Sequence, residues 1–245
     1  MFNYAQEVKV AAKSPLTLPL GVIVAAKQGF SQTALMWVAA GGSVDATDTQ
    51  GGDEMTMLMF ASFYGRVRLV DKLIVSCKAS IDFKVSPDQP SAIMIAVVQG
   101  HAAIVQRLCD AGSKDVLYAM AEADLHGRAD IMSALSTHIK QVQASLWYEK
   151  GEKLHPAIVS AVIEGYEATV LAWLQGGGSV DATYDYIDKQ IKDMTMLHFA
   201  CVDNQPSMVS LLLKHGANTN VQNSDGVSPL MESAFHGHAS TVSRL

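Results

Sequence analysis

Seven residues, Gly41-Gly42-Ser43-Val44-Asp45-Ala46-Thr47, recur letter for letter at Gly177 to Thr183, 136 residues further on. An exact recurrence of that length marks two copies of one structural unit. Self-similarity at a fixed spacing constrains a fold more than any local motif does. The likeness continues upstream, where Ala25, Gly29, Thr33, Leu35 and Trp37 answer Ala161, Gly165, Thr169, Leu171 and Trp173. Downstream, "MTMLMFA" at Met55 to Ala61 answers "MTMLHFA" at Met194 to Ala200.

Smaller units lie inside this duplication. Thr56 to Gly65, Ser91 to Gly100, Thr195 to Asn204 and Ser228 to Gly237 share a hydroxyl residue, Leu or Ile two places on, Ala five places on and usually Gly nine places on. Most are followed by an apolar stripe in three- and four-residue steps: Leu69, Val70, Leu73 and Ile74; Ile104, Val105 and Leu108; Val209, Leu212 and Leu213. Such steps describe one face of a helix. The unit therefore reads as helix, glycine-marked turn, helix, loop. Its markers are Gly29, Gly65, Gly100, Gly127, Gly165, Asn204 and Gly237, with successive gaps of 36, 35, 27, 38, 39 and 33 residues. The first four gaps span 136 residues, so duplication of a four-unit block explains the repeated heptapeptide.

On "SPLMESAFHGHASTV" (Ser228 to Val242), "GHAAIVQRLCDAG" (Gly100 to Gly112) and "TMLHFACVDNQPSMVSLLLKHGANTNVQNSDG" (Thr195 to Gly226), the chain resembles the ankyrin repeat family. The resemblance implies an all-α solenoid of stacked helix-turn-helix units with short β-hairpin fingers, seven units in all and the last incomplete. Each helix pair is too thin to bury its own apolar face, so stability comes from stacking on neighbours. The expected organisation is an N-terminal segment over 1–17 that caps the stack; repeats one to three and the start of the fourth over 18–127; a long outer helix over 128–150 joining two sub-arrays; and repeats five to seven over 151–245.

Several local expectations follow. Thr56, Ser91, Thr195 and Ser228 stand where a hydroxyl caps the first helix of a unit. The resemblance pairs Thr195 with His198, while Met59, Met94 and Met231 at the histidine place suggest looser packing. Trp37 and Trp173 occupy stripe positions and are assigned to the core. Between Gly112 and Gly127 there is no room for a full hairpin, whereas "ATYDYIDKQIKDM" (Ala182 to Met194) makes a lengthened finger. Ile131, Leu135, Ile139, Val142 and Leu146 share one helical stripe with no Gly or Pro to stop it, predicting one long helix over 129–149.

The chemistry looked for is mostly absent. A net charge of −6 and the lack of a Lys/Arg-rich run argue against nucleic acid as a partner. Cys77, Cys109 and Cys201 lack CxxC spacing, which disfavours a disulfide framework or zinc site and favours an intracellular, cytoplasmic or nuclear, location. The mixed charges and prolines of the first residues do not read as a signal peptide. No apolar run approaches the ~18 residues of a membrane span. His101, His215 and His238 fall where the resembling family carries structural histidines, and His236 and His238 are expected to point to different sides of a helical turn. "GGG" at Gly176 to Gly178 lacks the Lys-Ser/Thr of a phosphate cradle, and no catalytic constellation is present, so no enzyme activity, cofactor or metal is expected. Asn220 matches a hairpin asparagine that intracellular hydroxylases modify in the resembling family; a turn role is the simpler reading.

Function is then expected to reside on the exposed side of the first helices and on the finger tips. Projecting the pattern selects Met57, Tyr64, Gln99, His126, Glu164, Met196, Asp203 and His236 near a concave face, with Tyr184 and Tyr186 on the long finger. The reading is a monomeric, non-enzymatic scaffold that binds another protein. The alternative is a targeting or autoinhibitory module of a larger enzyme or channel, suggested by a chain that stops at Leu245 midway through an outer helix. A purely structural spacer is a third possibility.

Overall fold

The computed structural model describes residues 17–49, 54–86, 89–142, 153–186 and 190–245. The proposed N-terminal cap over Phe2 to Lys13 lies outside them. So does the part of the long outer helix beyond residue 142.

The chain divides into two compact units, Met1–Leu135 and Ser136–Leu245. The first holds helix pairs α1 (Leu20–Gln28) and α2 (Ser31–Ala39), α3 (Met57–Phe63) and α4 (Val67–Val75), and α5 (Ala92–Val98) and α6 (Ala102–Asp110), followed by α7 (Val116–Leu125). The division falls within α8 (Ala129–Val142). The second unit holds α9 (Pro156–Glu164) and α10 (Glu167–Gln175), a hairpin of β1 (Thr183–Tyr186) and β2 (Ile191–Thr195), then α11 (Met196–Val202) with α12 (Pro206–Lys214) and α13 (Pro229–Phe235) with α14 (Ala239–Val242).

Apart from α8, these helices of 4 to 10 residues are shorter than the ~12–15 residues at which isolated helices become even marginal in water, so tertiary burial must supply their stability. In the first unit α1, α3, α5 and α7 pack successively as an inner row, and α2, α4 and α6 form the outer row. In the second, α9, α11 and α13 make the inner row, with α12 and α14 packed outside. Inside a row an inner helix is flanked on both sides, as α3 is by α1 and α5, which is why Met57 through Ser62 of α3 are all buried. The outer helices bury only a stripe, Leu69, Val70 and Leu73 in α4 and Ile104, Val105 and Leu108 in α6. Each such side chain contributes roughly 1.5–3 kcal/mol.

All seven marker residues take a left-handed backbone, from Asn204 at φ 51° to Gly29 at φ 80°. The residue after the marker then reaches back to the preceding helix pair. Arg66 Nε donates to the Lys27 carbonyl (2.7 Å), Arg128 Nη2 to the Val98 carbonyl (2.9 Å) and Gln205 Nε2 to the Ile163 carbonyl (2.7 Å). His101 Nε2 lies 3.1 Å from the Phe63 carbonyl and His238 Nδ1 3.0 Å from the Cys201 carbonyl. These side chains also lie over the left-handed turns: a Cβ on Gly65 would meet the His101 ring at 2.8 Å. The histidines after the markers thus belong to an inter-repeat relay.

The heptapeptide has a physical cause. Trp37 and Trp173 are fully buried. A Cβ on Gly42 would fall inside the Trp37 indole, and one on Gly178 inside the Trp173 indole. Gly41 and Gly177 supply the left-handed step before them, at φ 96° and 89°. Asp45 accepts from the Ser80 amide (2.9 Å) and hydroxyl (2.6 Å), and Asp181 from the Asn218 amide (2.9 Å), tying each loop to the next one. Asp82 holds Ser113 and Lys114 in the same way, at 2.6 and 3.0 Å.

The short segment Ala111 to Asp115 carries no hairpin, and the long finger is the antiparallel β1–β2 ribbon, with Thr183 opposite Thr195 and Tyr184 opposite Met194. Lys153 grips its base, with Nζ 3.0 Å from Asp185 Oδ1 and 3.8 Å from Asp193 Oδ1. The Lys153 hydrogen bond and the Asp193 amide hold the Asp185 carboxyl below the usual carboxylate range. α8 buries Ile131, Leu135 and Ile139 on one stripe.

Two local expectations are corrected. Thr56, Thr195 and Ser228 accept cap bonds from Met59, His198 and Met231, but Ser91 makes none, although its backbone (φ −75°, ψ 169°) matches theirs. Its hydroxyl is buried without a protein partner. Met59 is not loosely packed: it is 1% exposed, and its sulfur accepts from the Thr56 amide at 3.5 Å, as His198 Nδ1 does from the Thr195 amide at 3.2 Å. Thr56→Ala is therefore expected to lose about 1 kcal/mol. Ser91→Ala, which removes an unsatisfied buried hydroxyl, should be neutral or stabilising by up to ~1 kcal/mol. Urea midpoints of the two variants check the contrast, and equal losses would contradict it.

Candidate functional site

The residue that closes each inner helix, just before its left-handed turn, stands at an exposed end of the row. In the first unit these residues are Tyr64, Gln99 and His126, the end residues of α3, α5 and α7. Tyr64 is 40% exposed and stacks obliquely on Phe63 at 5.0 Å. Gln99 is exposed, and His126 Nε2 lies 3.4 Å from Glu122 Oε2. In the second unit the same position holds Asp203 after α11 and His236 after α13, both exposed, while Glu164 is the exposed last residue of α9.

Met57 and Met196 do not join them. Both are fully buried at the first turn of α3 and α11, between neighbouring inner helices, and offer no surface to a partner. The pattern placed them correctly on the helix but on the wrong side. Tyr184 stands on β1, half-buried, with its ring edge-on to Phe199 at 6.1 Å. Tyr186 pairs with Ile191 across the ribbon.

Asp203 and His236 are brought together on a pocket of about 440 Å³ within the second unit. Its walls are Ile163 of α9, Ile191 and Met194 of β2, and Phe199 and Val202 of α11. Its rim carries Asp203, Glu232 and His236. Glu232 is largely buried, its side chain 14% exposed, and its Oε2 lies 3.9 Å from His236 Nδ1. Sequence patterning singled out neither these apolar walls nor Glu232. Only comparison of the two duplicated copies, residue by residue, carries a signal for it.

The pair His236 and His238 differs from expectation. Their rings stack at 5.7 Å and 25° instead of diverging, because His238 turns back to the Cys201 carbonyl. Among the described residues no group of three or more His, Cys, Asp or Glu is placed to hold a metal ion. Burial pushes the Cys109 thiol up to about 12, with Asp110 adding to the shift, and burial also raises Cys77 and Cys201, so these thiols are protonated at neutral pH. Asn220 is exposed; its amide is held by Asn218 Oδ1 at 2.9 Å, so Asn218 makes the turn.

His198 is fully buried. Its Nδ1 accepts from the Thr195 amide (3.2 Å) and lies 2.8 Å from Thr195 Oγ1, and its Nε2 lies 3.1 Å from the Val227 carbonyl. One nitrogen accepts and the other donates, as a neutral imidazole requires. Burial lowers its proton affinity against the opposing effect of the Val227 carbonyl.

The family model for ankyrin repeats (three copies) matches residues 22–119 and 157–245. The chain belongs to the ankyrin repeat family. Its repeats are similar to the ankyrin repeat and KH domain-containing protein mask-1 of Caenorhabditis elegans, at 22% identity over 93% of this chain and 10% of that protein. They are also similar to protein glp-1 of Caenorhabditis elegans, at 28% identity over 86% of this chain and 14% of that protein. The chain thus spans about a tenth to a seventh of these curated relatives. Among solved structures, the human ASB11 ankyrin repeat domain matches with a TM-score of 0.57 at 22% identity, covering 91% of this chain and 97% of that one. That likeness is one of fold. Ankyrin repeats generally mediate contacts between proteins, and no helix among the described residues is long and apolar enough to cross a membrane.

Proposed function

We propose that this chain is a non-enzymatic protein-interaction module whose inner-helix ends and long finger contact a partner protein. The observation that carries the reading is the pocket of about 440 Å³ where finger, α9, α11 and α13 converge, with apolar walls and a polar rim. An apolar recess with a few convergent polar groups is the common form of a recognition site. Tyr64, Gln99 and His126 extend the same kind of surface in the first unit. The net charge of −6 favours a basic or neutral protein over nucleic acid. Three free cysteines without CxxC spacing fit an intracellular setting, and the module is read as a monomer. A second reading, that it targets or restrains a longer protein, is favoured by the small share of its curated relatives that it spans.

Affinity capture from native lysate with the full chain, followed by quantitative proteomics, tests the proposal. Tyr64→Ala and, separately, Asp203→Arg are expected to reduce recovery of a specific protein by about tenfold, the loss typical of an interface hot spot. Both variants should keep wild-type helical dichroism. Unchanged recovery of every captured protein by both would reject this surface.

A further inference from the structure

The turns that close the first two helix pairs carry a row of cations that no stretch of the sequence shows. Lys27 stands before the Gly29 turn and Arg66 after the Gly65 turn, and the 2.7 Å bond from Arg66 Nε to the Lys27 carbonyl joins them across 39 residues. Arg68 is exposed two residues further on, in the first turn of α4. Residues 26–31 and 63–68 contain no Asp or Glu. Among the described residues none of these three cations pairs with a carboxylate, whereas Arg107 reaches Asp71 at 3.5 Å and Lys84 reaches Asp115 at 2.9 Å. Phe30, Phe63 and Tyr64 stand exposed on the same two turns.

The fold does not need these charges. Aligned on the shared motifs, the duplicated copy holds Ile163, Gln205 and Ser207 at the places of Lys27, Arg66 and Arg68. Gln205 Nε2 makes the same relay bond, to the Ile163 carbonyl at 2.7 Å, and its side chain lies over the Gly165 turn as that of Arg66 lies over Gly29. A neutral amide thus performs the structural duty of Arg66. What the guanidinium adds is a charge and two terminal nitrogens, which have no hydrogen bond among the described residues once Nε is engaged. The second unit also reverses the sign on its corresponding turn, with Glu164 and Glu167 where the first has Gln28 and Ser31.

We propose that this row binds an acidic segment of a partner protein, with Arg66 as the main contact. The bond to the Lys27 carbonyl holds the guanidinium by its Nε edge and leaves its terminal nitrogens as a fixed pair of donors for a carboxylate. Lys27, its ammonium 5.0 Å from the Phe60 ring centroid, and Arg68 flank it. Phe63 and Tyr64 offer ring surface to an apolar side chain of the same segment. Three cations on a chain of net charge −6 make a poor track for a nucleic acid, whose affinity comes from many phosphate contacts. The proposal rests on reading the inner-helix ends as protein-binding and sets the sign of the partner there: at these two turns it is acidic, whatever the net charge favours elsewhere.

The test titrates the full chain into the fluorescein-labelled peptide Gly-Glu-Asp-Phe-Glu-Asp amide, into its neutral counterpart Gly-Gln-Asn-Phe-Gln-Asn amide and into labelled oligodeoxythymidylate, read by anisotropy at physiological ionic strength. The acidic peptide is expected to bind with a Kd of about 0.1 mM and the neutral one at least ~10-fold more weakly. Arg66→Gln with Arg68→Ser, which copies the second unit, should weaken binding of the acidic peptide by about 10-fold. Its thermal midpoint should stay at that of the parent, because glutamine keeps the relay bond, as Gln205 does. Lys78→Gln with Lys114→Gln removes the same charge from exposed places outside the row and should change the affinity by less than about twofold, since separated surface charges are screened.

Equal binding of the neutral peptide, no saturable change with the acidic peptide at chain concentrations up to ~1 mM, or equal losses in the two double variants would overturn the proposal. Tighter binding of the oligodeoxythymidylate than of the acidic peptide would overturn it too, by giving the row to nucleic acid. The two readings fail separately in the lysate capture. A specific protein lost with Tyr64→Ala but recovered in full with Arg66→Gln plus Arg68→Ser removes the acidic partner and leaves the interaction surface standing. Unchanged recovery with Tyr64→Ala and with Asp203→Arg, alongside the expected peptide results, does the reverse.

Discussion

Gly178→Ala is expected to destabilise the second unit by about 3 kcal/mol, the upper part of the usual range for forcing extra volume into a packed core. The methyl group has nowhere to go: it would enter the buried Trp173 indole, whose Nε1 is fixed by a 3.3 Å bond to the Ser179 carbonyl. The indole cannot swing aside, since it is fully buried. Gly177→Ala next door is the control. Alanine there meets the strain of a left-handed backbone at φ 89°, about 1–2 kcal/mol. Urea unfolding followed by tryptophan fluorescence separates the two. A Gly178→Ala loss no larger than that of Gly177→Ala would show that the ring contact is not the constraint.

The second large effect is at His198. His198→Ala should cost about 3 kcal/mol, combining the cavity with the Thr195 amide left without its imidazole acceptor and the loss of one of the two bonds to the Val227 carbonyl, which keeps that from the Asn223 amide. The native histidine also makes stability depend on pH. Burial depresses its folded-state pKa. Below the ordinary histidine value of about 6.5 the unfolded chain therefore takes up a proton that the folded chain refuses. The contribution is present in full above that value and is lost as pH falls below it, at no more than ~1.4 kcal/mol per pH unit for one group. His198→Met, which copies the arrangement of Met59, removes this dependence. Unfolding curves of parent and His198→Met between pH 7.5 and 5 should differ in slope with that sign, and parallel curves would contradict the assignment.

Much of the fold was legible because its determinants are spaced regularly. The left-handed turns from Gly29 to Gly237, the buried Trp37 and Trp173, the finger over Ala182 to Met194 and the missing hairpin after Gly112 all follow from counting residues against the repeat. What counting could not supply was side-chain direction within a turn. Met57 and Met196 lie one residue after their caps and face inward because inner helices are flanked on both sides, a fact of packing invisible in one repeat. Ser91 has the backbone of a cap without its bond, and His236 stacks on His238 because of a carbonyl 37 residues away. The pocket was hidden for a related reason. Ile163, Met194 and Phe199 are apolar in the sequence, and their spacing does not say that they close around a recess.

The interlock of indole and loop glycine bears on the chain's history. Neither partner can drift alone: a larger residue at Gly42 or Gly178 collides with the ring, and a smaller ring leaves a void against a residue with no side chain to fill it. The aspartates of the same loops are bound in turn to the loops that follow them. Substitution is therefore penalised throughout this stretch, which the two halves still share letter for letter while the likeness on either side of it is interrupted.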